Sequence, residues 1–195
     1  MFLYIILLTG SRGALLGVFS FVIVLAFCSQ KGKKARTIIG LLTVLVLAYF
    51  VVLPMLPEYI QQRLFQNDSY TRTINAHENR GTFWKLALTE IFPKHPLLGV
   101  GAGCTPLWLG RFYSTNRGMH NTYINMLCEF GILGLPAFLW MLWKLFIGKH
   151  AQGEYIEMAL LTGICMIIFF LDAYPKKFFW NVVMLLMIES KGVGK

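Results

Sequence analysis

The sequence predicts an all-α membrane protein, a polytopic bundle of transmembrane helices. Two features of the composition and one pattern along the chain support this prediction. Of the 195 residues, 56% are hydrophobic and only 14% are charged, whereas soluble domains carry about 25% charged residues. The mean hydropathy is +0.60, and the apolar residues fall in long blocks. A soluble domain of this size cannot bury so much apolar surface, so a soluble globular enzyme and an intrinsically disordered chain are both excluded.

The apolar blocks define the predicted helices in chain order. Met1–Thr9 is too short to cross a membrane, and we interpret it as the end of a helix whose beginning lies outside this chain. The predicted spans that follow are Ala14–Cys28, Ile38–Leu56, Asn121–Ile147, Tyr155–Leu171 and the shorter Phe178–Ile188. We therefore expect transmembrane helices in 1–56 with a cytoplasmic hairpin at 30–37, an extracytoplasmic loop at 57–120, and C-terminal transmembrane helices in 121–195.

The distribution of charge sets the expected orientation. Lys and Arg outnumber Asp and Glu by 18 to 9, and the densest basic cluster, residues 31–36, lies in the predicted hairpin. The positive-inside rule places this hairpin in the cytoplasm, and counting crossings places the 57–120 loop on the outer side. The cations of that loop are an exception to the rule, because long loops are translocated largely regardless of charge. An anionic ligand would explain why they are there. No motif resembles a nucleic-acid-binding module, so we expect no nucleic acid partner.

The outer loop contains a predicted amphipathic helix over Asn79–Phe92, which Pro93 ends. The residues that recur on its apolar face are Phe83, Leu86, Ala87 and Ile91. We expect this helix to lie along the membrane interface, with Trp84 at the level of the lipid headgroups.

The three glycines that follow, Gly99, Gly101 and Gly103, favour a tight turn over a phosphate-binding loop, because no strand precedes them and no Lys-Ser/Thr pair follows. The cysteines form no CxxC motif, and we expect them to be small buried residues without a disulfide or a metal site.

Two arginines and one histidine are expected at similar depth on the outer face. Arg12 precedes an apolar span, and Arg80 opens the interfacial helix, where it opposes the helix dipole and therefore suggests an anionic partner. A guanidinium group matches the oxygens of a phosphate in a bidentate fork. The alternatives are that Arg12 only extends its charge to the headgroups and that Arg80 is a solvated surface charge.

His120 is the candidate general base of this layer, because an imidazole can accept a proton from an attacking hydroxyl near neutral pH. Asn121 is a predicted N-cap of the third span, and the helix N-terminus behind it favours anions. The alternative is that His120 only hydrogen-bonds at the helix start. We interpret His77 as a surface partner of Glu78 and His95 as a structural turn residue.

Two acidic residues complete the candidates. Glu129 lies inside the third span, where a carboxylate is costly unless it is paired. It either orients one of the arginines or is a neutral structural group, and the sequence leaves both interpretations open. Asp172, at the outer end of the fourth span, is a possible partner of an Arg or Lys.

Four motifs, taken in order and spacing, resemble the O-antigen ligase/polymerase family over most of 11–140. They are Arg80-Gly-Thr-Phe-Trp84, the stretch His95–Gly103, His120-Asn-Thr-Tyr-Ile124 and the stretch Glu129–Leu135. Ser11-Arg12-Gly13 at a helix start is also similar to that family.

The resemblance implies a membrane glycosyltransferase with a GT-C-like fold. Such an enzyme moves a glycan from an undecaprenyl-diphosphate carrier to a glycan, lipid or protein acceptor on the outer side of the bacterial cytoplasmic membrane, without a metal or cofactor. The resemblance implies that Arg12 and Arg80 hold the diphosphate and that His120 activates the acceptor hydroxyl. We add Arg117, Asn121 and Glu129 as expected substrate-binding residues.

The family resemblance also implies a larger protein, because its members have about ten to twelve spans. This chain resembles the C-terminal half. We therefore expect its partners to be membrane lipids and either a missing N-terminal half or a partner chain. The alternatives are an inactive fragment or scaffold subunit, and a fragment of a transporter for an anionic solute, which should contain paired broken helices. The sequence does not separate a polymerase from a ligase, or O-antigen from capsule or exopolysaccharide.

Overall fold

A computed structural model describes residues 11–28, 39–40, 43, 58, 80–112 and 118–188, with only the backbone of Arg12. Six α-helices have both ends in these ranges, and no strand occurs in them. They are α1 (Arg12–Cys28), α2 (Arg80–Leu86), α3 (Thr105–Gly110), α4 (Thr122–Ala151), α5 (Tyr155–Ile167) and α6 (Lys177–Met187). The described part of the chain confirms the all-α prediction.

Several predicted features lie outside the described residues. They are the cytoplasmic hairpin 30–37, Met1–Thr9, most of the span Ile38–Leu56, the loop residues 59–79 with His77 and Glu78, Arg117, and the tail from 189 onward.

The helix α4 is long and apolar enough to cross a membrane, judged by length and composition, and it alone among the described helices is so. The apolar helices α1, α5 and α6 are shorter and coincide with three of the predicted spans. Helix α5 ends at Ile167 rather than at Leu171, because the chain beyond it leaves the helix to bind α4. The backbone N–H of Thr122 donates to the carbonyl of Ile168 over 2.9 Å, and the hydroxyl of Thr122 donates to the carbonyl of Leu171 over 2.5 Å.

The chain divides into two compact units, 1–76 with 158–167 and 77–157 with 168–195. In the first unit, α1 packs closely against the C-terminal part of α5 through glycines. A Cβ atom at Gly17 would lie 2.3 Å from the side chain of Ile167, and one at Gly163 would lie 2.9 Å from the carbonyl oxygen of Gly17. Small residues permit such close backbone approach between apolar helices.

The second unit has a core beneath α2. Its buried members are Phe83, Ala87, Ile91, Leu109, Met119 and Cys128. After Leu86 the chain continues as a π-helical turn, Ala87–Ile91, and a 3₁₀ turn, Phe92–Lys94. The amphipathic helix is therefore present, and its apolar face packs inside the protein; its position at the membrane interface stays a prediction. A stripe of this kind fits either environment, and here Cys128 of α4 and Leu109 of α3 cover it.

Helix α4 is broken at Gly131, which corrects the prediction of one continuous span. Gly131 has φ 67° and ψ −164°, a combination that is essentially restricted to glycine. In a regular helix the N–H groups of Ile132 and Leu133 would donate to the carbonyls of Cys128 and Glu129. The break separates these donors from these acceptors.

The turn Pro96–Gly101 supplies the missing partners. Ile132 donates to the carbonyl of Pro96 over 2.8 Å and Leu133 to that of Leu97 over 3.4 Å. On the other side of the break, Val100 donates to the carbonyl of Cys128 over 2.9 Å and Gly101 to that of Glu129 over 3.0 Å. The turn is thus inserted into the hydrogen-bond ladder of α4.

Candidate active site at the start of helix α4

Asn121 is the N-cap of α4, as predicted. Its backbone is extended, with φ −153°, and its side chain accepts a hydrogen bond from the N–H of Ile124 over 3.0 Å. Such a cap satisfies one of the donors that a helix start leaves free. The cap thereby fixes the position of Asn121 before the first turn of α4.

His120, directly before the cap, has the left-handed backbone angle φ 53°, which no other described non-glycine residue shares. This conformation is costly for a residue with a Cβ atom and persists where the surroundings determine it. The carboxylate of Asp172 does so by accepting from the N–H of His120 over 2.8 Å and from the N–H of Asn121 over 3.1 Å.

A glycine makes room for this carboxylate. A Cβ atom at Gly118 would lie 2.2 Å from Oδ2 of Asp172, so a larger residue would displace it. The sequence suggested Asp172 as a partner of an Arg or Lys. Among the described residues, the hydrogen-bond donors to its two oxygens are main-chain N–H groups instead.

Thr122 ties the start of α4 to the same returning segment. Besides its two bonds to Ile168 and Leu171, its hydroxyl oxygen accepts from the N–H of Ala173 over 2.8 Å. Thr122 is fully buried, so these bonds are shielded from water. Three hydrogen bonds of Thr122 therefore join the start of α4 to residues 168–173.

Trp84 brings α2 to the same place. Its indole N–H donates to the carbonyl of Met119 over 2.9 Å, and its ring meets that of Phe169 edge-on at 5.6 Å. Arg80 lies four residues before Trp84 and therefore on the same face of α2. This geometry places Arg80 one helical turn from the residue that contacts Met119, the neighbour of His120.

The described residues leave the side chains of Arg80 and His120 without a polar partner. The side chain of Arg80 is exposed and pairs with no acidic side chain of the described residues. The side chain of His120 is half-buried, and neither ring nitrogen bonds to a described residue. An exposed guanidinium and a free imidazole can bind an anion and accept a proton, respectively.

Two side-chain atoms near the cap have unused hydrogen-bonding capacity. Nδ2 of Asn121 and Oδ1 of Asn125 are buried and without a hydrogen-bond partner in the described part of the chain. One is a donor and the other an acceptor, on side chains one turn apart, so a hydroxyl could serve both. Asn125 is not singled out by the sequence, because it is one polar residue in an apolar run.

Glu129 is buried, with 1% exposure, and holds the glycine turn. Its carboxylate accepts from the N–H of Gly103 over 2.7 Å, and from the N–H and hydroxyl of Thr105 over 3.2 and 2.7 Å. The hydroxyl of Tyr174 also donates to it. These donors are neutral, which favours the structural interpretation over pairing with an arginine; a substrate-binding role for Glu129 stays a prediction.

The glycine stretch 99–103 is a turn with left-handed residues, as predicted. Gly99 has φ 72°, and a Cβ atom there would lie 2.3 Å from the backbone of Glu129. The N–H groups of Val100, Gly101 and Gly103 all donate within the protein. These donors are therefore not free to cradle a phosphate. His95 closes the same turn, since its carbonyl accepts from Gly99 over 3.0 Å.

The structure thus brings together His120 and Asn121 and places Arg80 on α2, whose Trp84 binds the carbonyl of Met119. Arg12 is the first residue of α1, in the other unit, and its side chain lies outside the described residues. Arg117 also lies outside them.

The far end of α4 has a different chemistry. Lys149 is buried, with 4% exposure, and its ammonium group pairs with Glu154 at 2.7 Å and with Glu157 at 2.5 Å. It also donates to the carbonyl of Ile188 over 3.3 Å.

A family model described as Wzy_C, O-antigen ligase, matches residues 1–139, which is more than half of the chain and includes every candidate site residue at the start of α4 except Asp172. No curated protein and no solved structure matches the chain.

Proposed function

Since the chain belongs to the O-antigen ligase family, a family of membrane proteins, we propose that it is a glycosyltransferase acting on a lipid-linked glycan. The donor would be a glycan on an undecaprenyl-diphosphate carrier, and the acceptor would be a hydroxyl of a glycan, lipid or protein. A polymerase and a ligase differ in the acceptor and would use the same anion site and the same base.

The conformation of His120 is the observation that carries this proposal. A histidine in a left-handed backbone conformation, held by both oxygens of one carboxylate at the start of an apolar helix, indicates a position that the fold maintains at a cost. The family motif around it supplies the role of general base. Asn121 would line the same site, and Arg117 would do so on the resemblance alone.

The anion site would be formed by arginines. Arg80 is exposed and without an acidic partner in the described residues, and it shares a helix face with Trp84. Arg12 is assigned to the same role by the family motif. Guanidinium groups would bind the diphosphate and stabilise the charge that develops on it as it leaves.

The reaction would be a single displacement with balanced bonds. The acceptor hydroxyl oxygen forms a bond to the anomeric carbon of the donor sugar, and the bond from that carbon to the diphosphate oxygen breaks. The electron pair leaves with the lipid diphosphate, whose negative charge Arg80 and Arg12 neutralise. The hydroxyl proton passes to the imidazole of His120.

The expected setting is a multi-pass GT-C-like helix bundle in the bacterial inner membrane, with the site on the outer face. Helix α4 supports a membrane span by its length and composition. The sidedness follows from the basic cluster at 31–36 and the positive-inside rule.

The break in α4 does not favour an anion transporter. In transporters, the free backbone groups of broken helices bind the substrate or its coupling ion. Here the carbonyls of Cys128 and Glu129 and the N–H groups of Ile132 and Leu133 are all hydrogen-bonded to the turn 96–101.

A cellular assay tests the proposal. The chain is expressed in cells that lack the native enzyme, and accumulated lipid-linked glycan is measured. We expect the wild type to relieve the accumulation and Arg80→Ala and His120→Ala to fail at equal protein levels. Removal of the base in His120→Ala should lower the transfer rate by at least about 100-fold.

Two variants serve as matched controls. His150→Ala removes a histidine from the opposite end of the same helix, and Lys85→Ala removes an exposed cation from the same helix as Arg80. Both should transfer glycan like the wild type. Full activity of both Arg80→Ala and His120→Ala would refute the assigned roles.

A further inference from the structure

The turn between α2 and α3 exposes apolar side chains. Leu97 is 64% exposed and Leu98 is 74% exposed. The main chain on both sides of these residues is satisfied inside the protein, through the bonds of Pro96, Leu97, Val100 and Gly101 to the break in α4. Irregular backbone is tolerated at membrane depth where it is buried in protein, and these bonds hold the two sides of the turn against α4.

Exposure along α4 changes sharply at the break. No residue from Asn121 to Gly131 is exposed, so this part of the helix is enclosed by protein. Large exposed apolar side chains begin with Ile132 (51%) and Leu133 (62%) and continue to Ile147. The lipid-facing surface of α4 therefore starts at the residues that bond to the turn.

The length of this surface falls short of a membrane. From Ile132 to Ile147 the helix rises about 24 Å, whereas the hydrocarbon core of a bilayer is about 30 Å thick. Leu97, which Leu98 follows directly, accepts from the N–H of Leu133, and Pro96 before it accepts from the N–H of Ile132. Leu97 and Leu98 extend the apolar surface beyond the first exposed turn of α4.

We propose that the turn Pro96–Gly99 is re-entrant, with Leu97 and Leu98 in contact with the acyl chains of the leaflet in which α4 begins. The loop therefore does not run through water over its whole length. It enters the membrane beside α4, fills the gap in the helix ladder at Gly131, and returns toward α3. Its partner is the lipid hydrocarbon.

The flanks of the turn carry the groups that membrane interfaces favour. Arg111 lies 4.2 Å from the ring centre of Trp108, and Lys94 is exposed and pairs with Glu90 at 3.2 Å. Tryptophan and basic side chains are enriched at headgroup level. The apolar tip is thus bordered by residues suited to the water boundary.

The test is a spin-label accessibility measurement on the full chain in liposomes. The four native cysteines are replaced by alanine, and a nitroxide is attached to Leu98→Cys. Lys94→Cys gives the aqueous reference, and Trp140→Cys, on the exposed apolar face of α4, gives the lipid reference. Circular dichroism checks that each labelled protein keeps its helix content, and Leu97→Cys replaces Leu98→Cys if that variant does not fold.

We measure how often the nitroxide collides with oxygen, which partitions into lipid, and with a water-soluble nickel chelate. The two collision rates together distinguish the outcomes. We expect position 98 to match the Trp140→Cys reference, with high oxygen and several-fold lower nickel accessibility than Lys94→Cys. High nickel accessibility would overturn the proposal in favour of an aqueous loop. Low accessibility to both reagents would overturn it in favour of a second protein surface covering the turn.

Discussion

The two ends of α4 both bury charged groups, and they use them in opposite ways. At the end of the helix, the ammonium of Lys149 is neutralised by Glu154 and Glu157. At the start, the carboxylates of Asp172 and Glu129 accept from neutral donors, mostly main-chain N–H groups, while Arg80 remains exposed.

This difference separates support from chemistry. Opposite charges that neutralise each other in a buried cluster leave nothing for a ligand and only join elements. Carboxylates that hold the main chain of His120 and the glycine turn fix geometry, and they leave the nearby cation free to bind an anion. We therefore expect changes at the end of α4 to affect stability and changes at its start to affect transfer.

Removing the buried ammonium should have the largest effect. Lys149→Ala leaves two carboxylates without their partner, and because these are 15% and 34% exposed the expected cost is about 3 kcal/mol, the low end for buried ion pairs. The free energy of unfolding, measured by denaturant titration in detergent, should fall by that amount. Lys144→Ala, which removes an exposed cation from the same helix, is the control and should change it little; equal stability of the two variants would contradict the comparison.

The next largest loss of stability should come from a substitution at the helix break. Gly131→Ala places a Cβ atom 2.2 Å from the carbonyl oxygen of Leu97 in a conformation reserved for glycine. The backbone strain alone costs about 1–3 kcal/mol. Gly148→Ala in the same helix meets nothing within 4 Å and should raise stability by up to about 1 kcal/mol. Unfolding titrations should show a loss of stability for Gly131→Ala and a gain for Gly148→Ala. If Gly131→Ala left stability unchanged, the hydrogen-bond ladder of α4 could close without the turn.

A variant at Asp172 should affect transfer more than its small chemical change suggests. Asp172→Asn keeps one acceptor but turns an amide donor toward the second N–H, so His120 or Asn121 loses its bond. Hydrogen bonds to charged groups are worth about 1.5–3 kcal/mol, which corresponds to about 10- to 100-fold in rate. The loss should appear in kcat with KM little changed, and Glu90→Gln is the control. An unchanged kcat would remove Asp172 from the account.

The smallest effect should come from Trp84. Trp84→Phe keeps most of the ring contact with Phe169 and loses the hydrogen bond to Met119. A neutral hydrogen bond contributes about 0.5–1.5 kcal/mol. Trp143→Phe, at an exposed position of α4, should leave the unfolding titration unchanged. If both variants behave alike, α2 is not anchored to the start of α4 by this bond.

Local residue chemistry accounts for what the sequence predicted correctly. Asn121 caps α4 because its short side chain reaches its own helix start, and Gly99 forms a turn because it tolerates φ 72°. The bounds of α1 and α6 follow from apolar runs. Each of these features depends on neighbours within a few positions.

The features that the sequence did not predict depend on distant partners. The bond between His120 and Asp172 joins residues 52 positions apart, and that between Gly103 and Glu129 joins residues 26 apart. The burial of Phe83 depends on a core that α3 and α4 complete, and an apolar stripe alone cannot distinguish a core from a membrane. The break at Gly131 requires the turn 96–101 as its partner.

The central claim is that Arg80 binds the lipid diphosphate, and a binding measurement tests it most directly. Undecaprenyl diphosphate is titrated into the purified full chain in lipid nanodiscs, with Lys85→Ala as the variant of equal charge on the same helix. Loss of a charge-assisted hydrogen-bonded pair should weaken binding to Arg80→Ala by about tenfold or more, while Lys85→Ala binds like the wild type. Equal affinity of the wild type and Arg80→Ala would contradict the account.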